Sequence, residues 1–273
     1  MTGPLVPQPR CAALVATKDR WPLLTGRALP SIRSQTCAVE RVVIVNDGRP
    51  FAPAEVEAIV AQLAPLPAIV LGNHGHPGAA GAWNSGLRFL RGSGYDGYVA
   101  ILDDDDAWDA DHVLCNLSAG GSTGAHLVVS GLRRVVAGAL RARPLPVDLS
   151  PGDFLRGNPG LQGSNTFVGI AALEQAGDFT EGLPSLNDRD LAIRLLRVPG
   201  LRVTYTRQWT ATWHHGDAPG ALSTPRSPAK IAGLRMFWAL HGAAMNAEDA
   251  GRYFDRAWRF FGVGRAEIVE AGA

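Results

Sequence analysis

Tyr98-Val99-Ala100-Ile101-Leu102-Asp103-Asp104-Asp105-Asp106-Ala107-Trp108 is an apolar run that stops on four consecutive carboxylates. A short apolar segment bounded by polar residues reads as a buried strand, and open α/β sheets keep their ligands at the C-terminal ends of their strands. The four acids therefore stand at the mouth of a sheet. Adjacent negative charges raise one another's pKa values, so the cluster is costly unless cations or hydrogen-bond donors reach it. An all-oxygen donor set suits a hard divalent ion such as Mg²⁺ or Mn²⁺, and Mg²⁺ commonly joins one or two carboxylates to a substrate's phosphates. A solvated acidic turn ahead of a helix, with Asp109 and Asp111 favouring the macrodipole, is the competing reading of the same residues.

Outward from this stretch, strands and helices alternate. Cys11 to Thr17 is a small apolar run that fits a buried strand, followed by the polar loop Thr17-Lys18-Asp19-Arg20 and a helix over 22–34 that Pro30 should kink. A β-branched second strand over 41–45 ends in Asn46-Asp47-Gly48, a helix occupies 53–64, and a third strand 67–71. The glycine-rich segment 72–86 opens a helix that runs to Arg91. Small residues there permit close backbone approach, and a helix start can hold an anion, but the pattern is neither a P-loop nor GxGxxG, and a flexible connector explains it equally.

Beyond the acids, strands are expected over 125–130, with an extension over 132–137, and over 163–170, separated by an irregular excursion that contains Arg141, Arg143 and Arg156. Helices follow at 171–176 and 186–196, then strands at 201–205 and up to His214-His215. Asp188 and Asp190 open the second of these helices, as caps or as chemistry. Strands alternating with helices at this spacing mean βαβ units and a mainly parallel sheet. Two final helices, 228–245 and 247–261, are apolar on one side through Phe237, Trp238, Leu240, Tyr253, Phe254, Trp258 and Phe261. Core packing or subunit contact is the default explanation for such a face, and a membrane-surface helix or an acceptor-binding flap is the alternative.

Composition narrows the partners. The 273 residues include 26 basic and 25 acidic side chains, a formal charge of +1, so no overall field attracts nucleic acid or an anionic membrane. Cys11, Cys37 and Cys115 are three in number and far apart, which suits neither a disulfide framework nor a zinc site. With no signal-like segment in residues 1–10 and no apolar run of spanning length, a soluble, cytoplasmic protein is expected, peripheral membrane association remaining open.

Taken together, the motifs resemble the family 2 glycosyltransferases of the GT-A fold over about Cys11 to Thr224. The first strand with its Thr17-Lys18-Asp19-Arg20 loop, Ile44-Val45-Asn46-Asp47-Gly48, Gly78 to Gly86, Leu102 to Trp108, Asn187-Asp188 with Asp190-Leu191 and Arg194, and His215-Gly216-Asp217 are similar, in order and spacing, to that family's successive motifs. The resemblance implies a Rossmann-like, mainly parallel sheet with helices on both faces. It assigns residues 1–225 to the transferase domain, with a nucleotide half at about 11–137 and an acceptor half at about 138–225, and 226–273 to a C-terminal helical extension. This chain has Trp83 where the family usually has Arg, and Asn187 where it usually has Glu.

What the resemblance implies chemically is an inverting, metal-dependent transfer from a nucleoside-diphosphate sugar to an acceptor hydroxyl. The acceptor class (glycan, lipid-linked or natural product) stays open. Asp47 would read the nucleobase, a pyrimidine being favoured, with Thr17, Arg20, Asn84, Asp103 and Asp104 on the donor nucleotide. Asp105, Asp106 and His215 would hold Mg²⁺ or Mn²⁺, and Asp188 would be the general base, its pKa lowered by the helix start. A homodimer through the C-terminal helices is possible. A nucleotidyltransferase would share the sheet edge, yet it normally needs a glycine-rich loop after the first strand, and Thr17 to Arg20 has no glycine. A nucleotide-sugar binding module without catalysis is the third reading, and retention of Asp188 speaks against it.

Overall fold

A computed structural model describes residues 10–136, 138–214 and 224–269. In chain order it contains β1 (Cys11–Thr17), α1 (Trp21–Leu23), a π turn (Leu24–Ala28), α2 (Leu29–Arg33), β2 (Arg41–Asn46), α3 (Pro53–Leu63), β3 (Ala68–Gly72) and α4 (Ala79–Gly92). Then come β4 (Tyr98–Asp103), β5 (Ala107–Trp108), α5 (His112–Thr123), β6 (Leu127–Val136), β7 (Ala139–Ala142) and α6 (Pro151–Arg156). A 3₁₀ turn (Gly163–Asn165) precedes β8 (Thr166–Gly169), α7 (Ile170–Ala176), α8 (Asn187–Leu195), β9 (Val203–His214), α9 (Pro228–His241), a 3₁₀ turn (Gly242–Ala244), α10 (Ala247–Phe261) and α11 (Arg265–Val269).

The strands join in the order β3-β2-β1-β4-β8-β6-β9-β5, with β7 on β6. The first four are mutually parallel, and β8 enters antiparallel between β4 and β6. Alternation along each strand divides the core between two faces, because successive side chains point to opposite sides of a pleated strand. Leu14, Val45, Val99 and Ile101 join the layer formed with α4, α8 and the C-terminal helices. Val15, Ile44, Ala100 and Leu102 join the layer formed with α2, α3 and α5. Each large apolar side chain buried in this way contributes roughly 1.5–3 kcal/mol, which is what lets β4 end in acids. Gly86 of α4 seats that helix on β1, since a Cβ there would meet Leu14 Cδ1 at 2.3 Å.

Four expectations are revised. The helix expected over 22–34 is widened at Leu24–Ala28, where the Leu29 N–H reaches the Leu24 carbonyl. The wide turn lies just before Pro30, which has no N–H to donate and whose ring crowds the preceding turn. The excursion over 136–163 holds β7 and α6, the latter opened by Ser150 and Asp153 as a capping box. The two strands expected over 201–214 are one, β9, whose pairing with β6 shifts register near Arg207, a residue at φ 56°. Finally, α9 to α11 are built into the body rather than appended to it: Leu234, Phe237, Tyr253, Phe254 and Ile268 share the core that contains Leu14 and Ile101. Leu240 and Trp258 of the expected apolar face stay exposed, as does Phe260 beside it. Among the described residues no helix is long and apolar enough to cross a membrane.

Candidate functional site

The four acids do not act as a block. Where β4 leaves the sheet, the Asp106 N–H bonds back to the Asp103 carbonyl at 3.1 Å, and this tight turn fans the side chains apart. Asp104 turns under β1, accepting from Thr17 Oγ1 at 2.7 Å with Arg20 Nε 3.4 Å away. Asp105 accepts from Arg20 Nη1 at 2.8 Å. Asp106 is buried, accepting from Ser164 Oγ and from the His214 N–H at 2.9 Å. Burial is the main cause that pushes the Asp103 carboxyl far above its ordinary range, with the other three acids adding to it. Burial likewise raises Asp104 to about 6 against the pull of Arg20 and Thr17, and raises Asp106 with help from Asp105. The mutual repulsion expected from the sequence is present but is the smaller cause.

Asp103, Asp105 and Asp106 each offer an oxygen within 4.8 Å of the others. These are hard ligands in a site short of positive charge, and they fit Mg²⁺ or Mn²⁺. The grouping adds Asp103, placed by sequence on the donor nucleotide, and leaves out Asp104, whose carboxylate faces Thr17 and Arg20. His215 lies outside the described residues.

Sequence reading missed what holds this turn. Trp108 Nε1 donates to the Ser164 carbonyl at 2.7 Å, while Ser164 Oγ accepts the Asp103 N–H at 3.2 Å and donates to Asp106. Gly163 leaves room for this clasp, since a Cβ there would lie 2.9 Å from Asp103 Oδ1. A Gly-Ser pair some sixty residues downstream carries no local signal of that contact.

One cleft joins the acids to Asp188, with Arg20, Trp83, Asp103, Asp104, Asp105 and Asp188 all on its wall. Asp188 opens α8, where its Oδ1 accepts the Arg189 N–H at 2.8 Å and its Oδ2 accepts from Asn158 Nδ2 at 2.6 Å. The helix start was expected to lower its pKa; the pKa is instead raised. Burial outweighs the Arg189 N–H, the Arg189 and Lys230 charges and Asn158. Two residues on, burial again works to raise Asp190, but His241, Arg194 and Thr180 donate to it and hold it at about 2. Asp190 is thus an anchor for the C-terminal helices, and Asp188 the carboxylate open to chemistry. Asn158, deep in the excursion after β7, was not singled out from the sequence.

On the far side of β1, Asp47 lines a second cavity with Phe51, Val70, Leu71 and Pro77. It accepts from Asn73 Nδ2 at 2.6 Å, the Gly78 N–H at 2.9 Å and Lys18 Nζ at 3.2 Å, and these donors hold its pKa low despite burial. A carboxylate has about four lone-pair sites, so one acceptor position remains. Asn84 is a correction. It is buried and exchanges both its amide groups with the Phe179 backbone, at 2.9 and 3.0 Å, so it pins α4 to the loop before α8 instead of facing a donor. Trp83, beside it, packs on Phe179 with ring centroids 4.5 Å apart and forms cleft wall.

The fold has counterparts among solved structures. In structure, the chain is similar to residues 1–349 of S. aureus TarS in complex with UDP-GlcNAc, at 15% identity and TM-score 0.66 over 94% of this chain and 74% of that one. The mannosyltransferase PcManGT from Pyrobaculum calidifontis, in complex with GDP-Man and Mn²⁺, is similar at 18% identity and TM-score 0.59, over 92% of this chain and 70% of that one. A longer S. aureus TarS structure matches at 15% identity and TM-score 0.61 over 94% of this chain, which spans 44% of that protein's length. At such identities the likeness is one of fold. No curated protein matches the sequence. The sequence model described as Glycosyl transferase family 2 matches residues 13–163, just over half of the chain. On that match, this chain belongs to the family 2 glycosyl transferases.

Proposed function

We propose that the chain transfers a sugar from a nucleoside-diphosphate donor to an acceptor hydroxyl in a single displacement that inverts the anomeric carbon. The observation that supports this most directly is Asp188: a carboxylate with a raised pKa on the wall of the cleft whose other end is the acidic turn. A base is most effective when its pKa approaches the working pH, and burial moves Asp188 in that direction. Asn158 and the Arg189 N–H orient it, leaving lone pairs for the acceptor.

In the proposed reaction Asp188 takes the proton of the acceptor hydroxyl as its oxygen bonds to the anomeric carbon. The bond from that carbon to the diphosphate oxygen breaks, and the nucleoside diphosphate leaves with the electron pair. Asp103, Asp105 and Asp106 would hold Mg²⁺ or Mn²⁺, which supplies positive charge beside the departing diphosphate. Arg20 keeps Asp104 and Asp105 in place at the same end. The cavity at Asp47 suits a nucleobase: its apolar wall accepts a flat ring, and the carboxylate accepts a ring N–H, which favours uracil over adenine. Structural relatives are solved with UDP-GlcNAc and with GDP-Man, so the fold accommodates either class of base.

The test is Asp188→Asn, which keeps the shape and one acceptor oxygen but removes the proton acceptor. Donor binding and melting should stay near those of the parent, while transfer falls on the order of 10²-fold or more. The anomeric configuration of the parent's product, read by NMR, should be opposite to the donor's. Full activity in the variant, or retained configuration, places the chemistry elsewhere.

A further inference from the structure

Lys230 has no part in the transfer as described, and its placement is unfavourable on three counts. It is 4% exposed, so its ammonium has lost most of its water. It lies in the first turn of α9, where Ser227 Oγ accepts its backbone N–H, and a cation at a helix start opposes the macrodipole. Among the described residues its Nζ has no hydrogen-bond or ion-pair partner; it lies 4.6 Å from the ring centre of Phe261. Gly233, one turn further on, lets α9 press against the Ser185 loop, since a Cβ there would meet Ser185 Oγ at 2.1 Å. This docking sets Lys230 on the cleft wall beside Asp188.

Two more cations converge there. Arg256 of α10 lines the same cleft and, among the described residues, makes no ion pair; its guanidinium stacks on Phe260 at 4.7 Å. Arg143, after β7, donates to the Asn158 carbonyl at 3.1 Å, on the residue that orients Asp188. Arg256 crowds both of the others. Burial, opposed by Asp188 and reinforced by Arg189 and Arg256, brings Lys230 down to about 8, and burial followed by Arg256 and Arg134 lowers Arg143. Among the described residues Asp188 is the one carboxylate whose field reaches all three, and a single negative charge does not balance them.

We propose that Lys230, Arg256 and Arg143 form a seat for a phosphoryl or carboxylate group borne by the acceptor, so that this enzyme glycosylates an anionic hydroxyl compound rather than a neutral one. The inference rests on Asp188 being the base, which makes this the acceptor end of the cleft. The donor's own diphosphate belongs at the opposite end, beside Arg20 and the acidic turn. An incoming anion would supply the charge that these cations lack and hold the acceptor against Asp188.

The full-length chain, saturated with Mn²⁺ and nucleoside diphosphate to fill the donor end, is titrated calorimetrically with inorganic phosphate, glycerol 3-phosphate and glycerol. Both anions should bind and glycerol should not. Lys230→Met and Arg256→Gln should each weaken anion binding at least tenfold while leaving nucleoside diphosphate affinity unchanged, and Lys230→Arg should restore it. Asp188→Asn removes a like charge, so it should preserve or tighten anion binding even as it stops transfer. If Asp188→Asn transfers normally while the anions bind as expected, the base assignment fails and the seat stands. Failure of both anions to bind, their exclusion by nucleoside diphosphate, or unaltered anion affinity in both Lys230→Met and Arg256→Gln overturns the seat.

Discussion

The two ends of the cleft are opposites in charge and in construction. The acidic end comes from four consecutive residues at the tip of β4, and the chain supplies partial compensation through Arg20, Thr17, Ser164 and the His214 N–H. The basic end is assembled from a loop after β7, the first turn of α9 and the middle of α10, with Asp188 as its one carboxylate among the described residues. Each end buries like charges at a cost that a ligand of opposite sign would lower. On the proposed reading a donor joined to a divalent ion would do so at one end, and an anionic acceptor at the other. The difference is that the acidic end is partly neutralised in advance, which suits a site entered by a metal that must displace few groups. The basic end is left bare.

The sharpest way to break this contrast is at the acidic end. Asp105→Asn removes one charge from the metal-competent group while Arg20 keeps its other partner, Asp104. Transfer should fall on the order of 10²–10³-fold, as when a charge-stabilising group is removed from a transition state. Mn²⁺ should then no longer improve nucleoside diphosphate affinity. If affinity is indifferent to chelator in the parent as well, the acidic turn is not a metal site.

The two ends should also oppose each other in the pH dependence of stability. Asp104 at about 6, and Asp106 and Asp188 also raised, bind protons in the folded state more tightly than in the unfolded chain. Stability of the metal-free protein should therefore fall as pH rises from about 4 to 7, Asp104 alone contributing roughly 3 kcal/mol. Buried His112, held at about 3, pulls the other way with a single proton up to pH ~6.5. Lys230, at about 8 in the fold and 10.5 unfolded, adds stability between pH 8 and 10.5, while burial that raises Cys11, Tyr95, Tyr98, Tyr205 and Tyr253 removes stability from about pH 9 upward. Chemical denaturation of the metal-free protein should show stability falling from about pH 4 to 7, and Mn²⁺ should reduce that fall. A Lys230→Met variant should lose stability more steeply than the parent between pH 8 and 10.5. A profile that is flat, with and without Mn²⁺, contradicts the picture of two uncompensated ends.

The smallest effect concerns the nucleobase cavity, which lies on neither end. Asp47→Ala should weaken uridine diphosphate by about tenfold, the loss of one hydrogen bond to a charged group, and adenosine diphosphate less. Equal losses for both nucleotides make Asp47 a loop clamp for Asn73 and Gly78 rather than a reader of bases.

The sequence by itself determined the acidic turn, the alternation of strands and helices, the position of Asp188 at a helix start and the apolar face of the last two helices. All are written in neighbouring residues, so periodicity and local spacing disclose them. Tertiary structure decided what could not be read that way. It turned Asp104 away from Asp103, Asp105 and Asp106, bound Asn84 to Phe179, merged two expected strands into β9, and drew the C-terminal helices into the core. It separated Asp188 from Asp190, two acids with the same local context, by giving Asp190 His241 of α9 and Thr180 of the preceding loop in addition to Arg194 of its own helix, and leaving Asp188 buried with fewer donors. It also brought Lys230 and Arg256 to one wall, and Arg143 against Asn158 of that wall, from positions up to 113 residues apart. The physical reason is the same throughout: desolvation and the choice of hydrogen-bond partners depend on what packs against a side chain, and that is set by the folded chain rather than by adjacent residues.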